Sequence, residues 1–216
     1  MEAKEIRKPK MVIKRDAFLE KGYNLMSKNT IDTVSMQEVA DASGYGVATL
    51  YRYFGAKPVL VVAIARWKWM EYAQINQKSR KNKKFDNMTA AQIYEFFLDS
   101  FLELYKSHKD LLRFNQNFNI YIQSESIGSE VIKPYTDVIE KLAENFRIIN
   151  QKAKKDGTMR TDVSGQEIFS TSLHIMLAAV TRYAVGLVYR PQKGFDPVKE
   201  LMTLKEMLMD RYSIKK

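Results

Sequence analysis

An all-α fold in two parts is predicted by three features of the 216-residue chain. Apolar residues recur at three- and four-residue spacings almost throughout, no stretch sustains the alternation of a strand, and only five prolines interrupt the pattern. A hydrophobic content of 45% is enough to bury a core, so an ordered globular chain is expected.

The spacing places helices at 11–28, 36–42, 47–53, 57–79, 89–106, 109–124, 129–153, 165–189 and 196–212. The polar, basic run from Lys78 to Asn87 reads as a solvated loop after the long fourth helix. Gly157 can end the seventh helix in the left-handed conformation, and Ser164 can cap the eighth. The eighth helix is apolar nearly all round. Leu173, Met176, Val180, Ala184 and Leu187 form one stripe, and Ile168, Ile175, Ala179 and Tyr183 another. Such a helix must be covered on both sides. The ninth offers Leu201, Leu204 and Leu208 at the same kind of spacing.

Charge is distributed unevenly. Residues 1–84 hold 17 Lys and Arg against 8 Asp and Glu, whereas residues 85–216 hold 18 against 17, so nearly all of the net +10 sits at the N-terminal end. A positive field confined to one end draws polyanions there, because Lys and Arg replace the counterions condensed on phosphates. Cysteine is absent and only His108 and His174 are present, which excludes disulfides, thiolate metal sites and histidine-rich metal clusters. No cofactor is expected. The first residues lack the apolar run of a secretory leader, and the most apolar later stretch, Leu173 to Tyr189, carries His174, Thr181 and Arg182. A soluble, cytoplasmic protein is expected.

The most specific signal lies between Ser35 and Lys57. Ser35 followed by Glu38 is a capping box: the serine hydroxyl can accept from the Glu38 amide while the carboxylate reaches back to the Ser35 amide. Ala40 is small enough for a second helix to cross closely. Gly44 supplies the positive φ of a tight inter-helix turn. Leu50, ten residues after Ala40, returns to the core. This is the spacing of a helix-turn-helix. Here the chain resembles the tetracycline-repressor (TetR) family of transcriptional regulators over about residues 12–66. The signature residues appear as Thr49-Leu50-Tyr51, Tyr53-Phe54 and Lys57. The chain departs from the family pattern in two places: Gly46 stands where a serine often caps the second helix, and Gly55-Ala56 replaces a more polar pair.

The resemblance implies a DNA-binding domain over residues 1–56 and a helical ligand-sensing and dimerisation domain over 57–216. The partners are then a pseudo-palindromic double-stranded operator, a second copy of the chain and a small hydrophobic or aromatic effector. The helix at 47–53 is short enough to enter the major groove end-on, making Gly46, Val47, Ala48 and Arg52 candidates for base contact. Thr49, Tyr51 and Tyr53 offer hydroxyls to phosphate oxygens, and Lys57 stands at the start of the next helix, where the dipole also favours an anion. Ser35 completes this set as the cap. Phe54 reads as core. The basic arm Arg7-Lys-Pro-Lys can follow the backbone or the minor groove.

In the second domain, aromatic residues between Tyr94 and Tyr121 form helical stripes interrupted by Asn115, Gln116, Asn117 and Asn119, so at least one amide must turn inward and find a partner. Phe97, Phe101, Phe114, Asn117, Phe118, Tyr121, His174 and Leu177 are the candidate lining of an effector site with an apolar wall and a few polar anchors. The chain shows no Ser-His-Asp or Cys-His set, no glycine-rich phosphate loop and no paired acidic helix motif, so an enzyme is not expected. The alternative is a basic helical protein of a membrane surface or of interactions, without a regulatory ligand. It would need an apolar helix face left free, whereas the first helices need theirs for packing.

Overall fold

The computed structural model of the chain describes residues 10–82, 85–188 and 193–214. Among them the helices are α1 (Lys10–Met26), α2 (Met36–Ser43), α3 (Val47–Phe54), α4 (Lys57–Asn82), α5 (Ala90–Ser107), α6 (Lys109–Ser124), α7 (Ser129–Asp156), α8 (Gly165–Ala184) and α9 (Pro197–Tyr212). Single 3-10 turns occupy Ile31–Thr33 and Phe85–Asn87, and among the described residues the one extended pairing outside helices is a bridge from Met159 to Ser213. The basic arm at Arg7–Pro9 lies outside the described residues, as do Lys83 and Lys84.

Three helices end three or more residues from the expected position, one of them α7, which runs to Asp156 instead of 153. Helix α4 continues to Asn82, through part of the run read as a loop. Helix α8 stops at Ala184 instead of 189, because Gly186 adopts φ 80° and closes the helix: its amide donates to Tyr183 O and that of Leu187 to Arg182 O. These two bonds satisfy carbonyls that the helix end leaves open. At the other cap positions the expectation holds. Gly157 sits at φ 63° just after α7, and the Ser164 hydroxyl accepts from the Glu167 amide at 3.1 Å.

Packing divides the chain into two units. The first comprises residues up to Lys68 together with Phe114–Tyr135, and the second comprises Trp69–Arg113 together with Thr136 onward. Helices α4, α6 and α7 therefore each have residues in both. The first unit gathers more than the motif at 1–56.

In the first unit Phe18, Leu19, Met26, Leu50, Leu60, Ile64, Phe114 and Phe118 are fully buried. Each is worth about 1.5–3 kcal/mol on leaving water. The ring of Phe18 meets those of Tyr45, Tyr53 and Phe54 at 5.6, 5.9 and 6.4 Å between centroids, which joins α1 to the turn and to α3. Gly22 lets α1 approach α4, since a Cβ there would stand 2.7 Å from Ile64 Cδ1. The piece 114–135 enters through aromatic contacts: Phe114 packs on Tyr23 at 5.4 Å, and Phe118 on Tyr135 at 4.8 Å.

In the second unit α5, α8 and α9 pack mutually. The fully buried Tyr94 hydroxyl meets Ser172 Oγ at 2.7 Å, and Ser172 donates onward to Ile168 O at 2.6 Å, so the buried hydroxyls are satisfied in sequence. Burial pushes the Tyr94 phenol well above its ordinary range. The N-terminus of α5 is closed by a Thr89–Gln92 capping box and from α7 by Asp156, which accepts from the Ala90 amide at 2.8 Å. Lys152 Nζ donates to the carbonyls of Phe85, Asp86 and Met88, and Lys205 of α9 pairs with Glu95 and Asp99 of α5 at 2.9 and 2.6 Å.

Candidate nucleic-acid interface

The cap of α2 forms as its sequence requires. Ser35 Oγ accepts from the Glu38 amide at 3.1 Å, and the Ser35 amide donates to Glu38 Oε2 at 2.7 Å. Donation from the Ser35 backbone, and then from its hydroxyl, holds the Glu38 carboxyl below the usual carboxylate range. Helix α2 then ends on Gly44 at φ 74°, which turns the chain into α3. Helix α3 starts on Gly46 without a side-chain cap, and the amides of Thr49 and Leu50 close on the Gly46 carbonyl at 2.9 and 3.3 Å.

Burial and internal hydrogen bonds together sort the candidate residues into two groups. Leu50 and Phe54 point into the core, which leaves Gly46, Ala48, Tyr51 and Arg52 exposed and Val47 and Thr49 half-buried. These six make up the part of α3 and its cap that the core leaves accessible. Ser35, Tyr53 and Lys57 are instead engaged within the chain. The Tyr53 hydroxyl donates to Met11 O at 3.2 Å, and Lys57 Nζ donates to Asp32 O at 3.0 Å while standing 5.7 Å from the Tyr121 ring centroid. Partial burial lowers the Lys57 pKa, against the opposing pull of Asp32, Glu125 and Glu38.

Two cations of α1 that the helix-turn-helix spacing does not single out stand beside it. Lys14 Nζ stands 5.2 Å from the Tyr45 ring, and the guanidinium of the exposed Arg15 lies 5.9 Å from that of Phe54. They bring positive charge beside the turn and α3. The excess of Lys and Arg in residues 1–84 was the available signal, but it does not say which of them share a face with α3.

The eight effector candidates are divided between the two units. Phe114, Asn117, Phe118 and Tyr121 belong to the first unit, whereas Phe97, Phe101, His174 and Leu177 belong to the second. Phe97 is half-buried and packs against Phe101, Phe146 and Phe169 at 5.1, 4.6 and 6.0 Å. His174 is exposed on α8, with Nδ1 3.5 Å from Ser170 Oγ, and Leu177 is half-buried. Among the interrupting amides Asn115 is the inward one, whereas Asn117 donates to the connection after α1. A cavity of about 10 Å³ lies between α7 and α8 beside Phe146, Asn150 and Ile168, room for about one water. Among the described residues no group of three or more His, Asp or Glu could hold a metal ion, and no single helix is long and apolar enough to cross a membrane.

Residues 18–64 match the family model described as bacterial regulatory proteins, tetR family. No curated protein matches the chain significantly. Many solved structures share its fold. One from Saccharomonospora viridis, described as a transcriptional regulator in complex with choline, is 14% identical with a TM-score of 0.72, over 93% of this chain and 98% of its own. The regulator FadR from Bacillus subtilis, in complex with stearoyl-CoA, is 15% identical with a TM-score of 0.66, over 90% and 97%. A Vibrio parahaemolyticus protein described as a TetR-family transcriptional regulator is 17% identical with a TM-score of 0.67, over 94% and 100%.

Proposed function

We propose, starting from a chain whose DNA-binding region belongs to the tetR family of bacterial regulatory proteins, that the protein is a sequence-specific transcriptional regulator acting as a homodimer, a repressor that a small molecule releases. The observation that carries this reading is the accessible face of α3. Backed by buried Leu50 and Phe54, it offers Arg52 for a guanine edge, Val47 and Ala48 for thymine methyls, and the hydroxyls of Thr49 and Tyr51 for phosphate oxygens. Residues 1–56 carry the DNA contacts, and residues 57–216 dimerise and sense.

The dimer closes through α8 and α9. Ile175, Met202 and Met207 on these helices and Leu187 just after α8 are exposed large apolar side chains, a composition that water does not favour and a second copy covers. Two-fold pairing presents two copies of α3 to a pseudo-palindrome.

The effector is a small, mostly apolar or aromatic molecule. FadR of Bacillus subtilis was solved with stearoyl-CoA and the Saccharomonospora viridis protein with choline, which supports a small-molecule role for this fold without selecting one ligand. The aromatic cluster of Phe97, Phe101, Phe146 and Phe169 in the second unit is the favoured wall, and its rings must part to admit a guest. Binding that favours one placement of α4, which has residues in both units, would alter the spacing of the two recognition helices. A coupling of about 1–3 kcal/mol suffices to switch.

The membrane-surface alternative is disfavoured by burial. Helix α3 with the start of α4 is a bent pair that satisfies the length and composition of a span, yet Leu50, Phe54, Leu60, Val61, Ile64 and Ala65 are all buried within the first unit. Selection by the wild-type protein from a random-sequence duplex pool, beside flotation with anionic phosphatidylserine vesicles, tests the choice. Enrichment of inverted half-sites supports the regulator, and vesicle capture without enrichment overturns it. A thermal-shift screen of apolar metabolites, with hits retested for release of the selected duplex, tests the effector.

A further inference from the structure

The connection between α1 and α2 bears on how the DNA-reading helix is held. Met26 is the last residue of α1, and carbonyls at a helix end lack intrahelical donors. The connection buries Ile31 and Val34 and then delivers Ser35, whose capping box starts α2. Since α2 packs on α1 and on α3, the path of the connection sets where α3 stands in the first unit.

Two side chains from distant parts of the chain hold its carbonyls. Lys57 at the start of α4 takes Asp32 O at 3.0 Å. Asn117 of α6 takes Asn29 O at 3.1 Å, and its Nδ2 lies 3.5 Å from Met26 O. One turn before Asn117 the buried Phe114 packs on Tyr23 of α1, so α6 is seated there by an aromatic contact before the amide makes its bond. Asn117 is itself half-buried; its contact with Met26 O is partly shielded from water, while its bond to Asn29 O faces solvent.

We propose that Asn117 is a positioning residue for DNA binding: through its Nδ2 it fixes the end of α1 and the connection into α2, and so the placement of α3, without touching DNA. This rests on the DNA-binding reading given above. It adds that the machinery for that function extends to residues 114–135, far beyond the helix-turn-helix in sequence. The consequence separates two kinds of binding. Non-specific attraction depends on the exposed cations and survives a small displacement of α3, whereas base contacts need the helix in register.

The full-length chain with Asn117→Leu, close in size and unable to donate, is the test, with Asn117→Ala as a second variant and Asn117→Gln as the conservative one. Affinity is measured for a duplex selected from a random pool by the wild type and for a scrambled duplex, and amide hydrogen exchange is measured on the free protein. The expected result is about a tenfold loss for the selected duplex, equivalent to about 1.4 kcal/mol, with under twofold change for the scrambled one. Exchange should quicken at 27–34 and stay unchanged in α5 and α9, and Asn117→Gln should recover part of the loss. Equal losses on both duplexes, or unchanged exchange at 27–34 in both Leu and Ala variants, would overturn the proposal. Failure of the wild type to select any duplex is a separate outcome, which overturns the DNA-binding reading itself.

Discussion

Helices α3 and α8 are built alike and finished differently. Each buries an apolar seam, Leu50 and Phe54 in α3 and Ile168, Met176, Val180 and Ala184 in α8. The faces they leave open differ in chemistry. Helix α3 shows Thr49, Tyr51 and Arg52 beside the cations of α1, whereas α8 shows His174 and Ile175 and is followed by the exposed Leu187. Hydroxyls and cations around a short helix suit a polyanion, and exposed apolar side chains suit a second copy. The buried seams make the fold; the open faces indicate the partner.

The sharpest break of this comparison is a charge on the apolar face. Ile175→Asp or Met202→Asp should give a folded monomer, because an unpaired carboxylate buried between copies costs several kcal/mol. Sedimentation at micromolar concentration should show the change, and affinity for a two-half-site duplex should fall about a hundredfold or more as one recognition helix is lost. A wild type that sediments as a monomer would refute the contrast. Val180 cannot serve in this test: it is fully buried within its own unit, so a charge there would unfold the chain instead of splitting a dimer.

That distinction marks where the sequence was legible. Periodicity located every described helix, and capping chemistry at Ser35, Gly44, Gly157 and Ser164 behaved as written. These are local features, decided within a turn or two of the residue concerned. A helical period says which residues share a face but not which element covers it. That Phe114 and Phe118 pack in one unit and Phe97 and Phe101 in the other, and that His174 is exposed, is therefore not contained in the period. The apolar run Val185 to Val188 likewise masked the stop at Gly186. For the α3 face, internal hydrogen bonds separate Tyr53 and Lys57 from the six accessible residues, a division that spacing does not contain.

Smaller effects sharpen the α3 side. Ser35→Ala should cost about 1 kcal/mol by leaving the α2 amides without their cap, read as a lower thermal midpoint with the dimer unchanged. Glu38 adds a pH dependence of known sign. Its carboxyl is held below the ordinary value, so its contribution is present above the unfolded-state pKa of about 4.3 and is lost as pH falls through the lower folded value. Melts of wild type and Glu38→Gln should therefore converge in acid, and a constant gap down to pH 2 would contradict the capping geometry. Smallest of all, Gly46→Ser should raise stability by a few tenths of a kcal/mol. The added Cβ meets nothing within 4 Å, and φ is an ordinary −68°, so the hydroxyl supplies the missing cap of α3. An unchanged or lowered midpoint would show that the cap is not what this helix lacks.

The central claim is that the open face of α3 reads DNA sequence, and the most direct measurement is a salt titration of the wild type and Arg52→Ala against a selected and a scrambled duplex. The account predicts that affinity for both duplexes falls steeply with salt, and that the wild type prefers the selected one by about a thousandfold or more. Arg52→Ala should keep the scrambled-duplex affinity to within a few-fold and lose about 1–3 kcal/mol of that preference, without a change in thermal midpoint. Equal affinity of the wild type for both duplexes, or a preference that Arg52→Ala leaves intact, would contradict it.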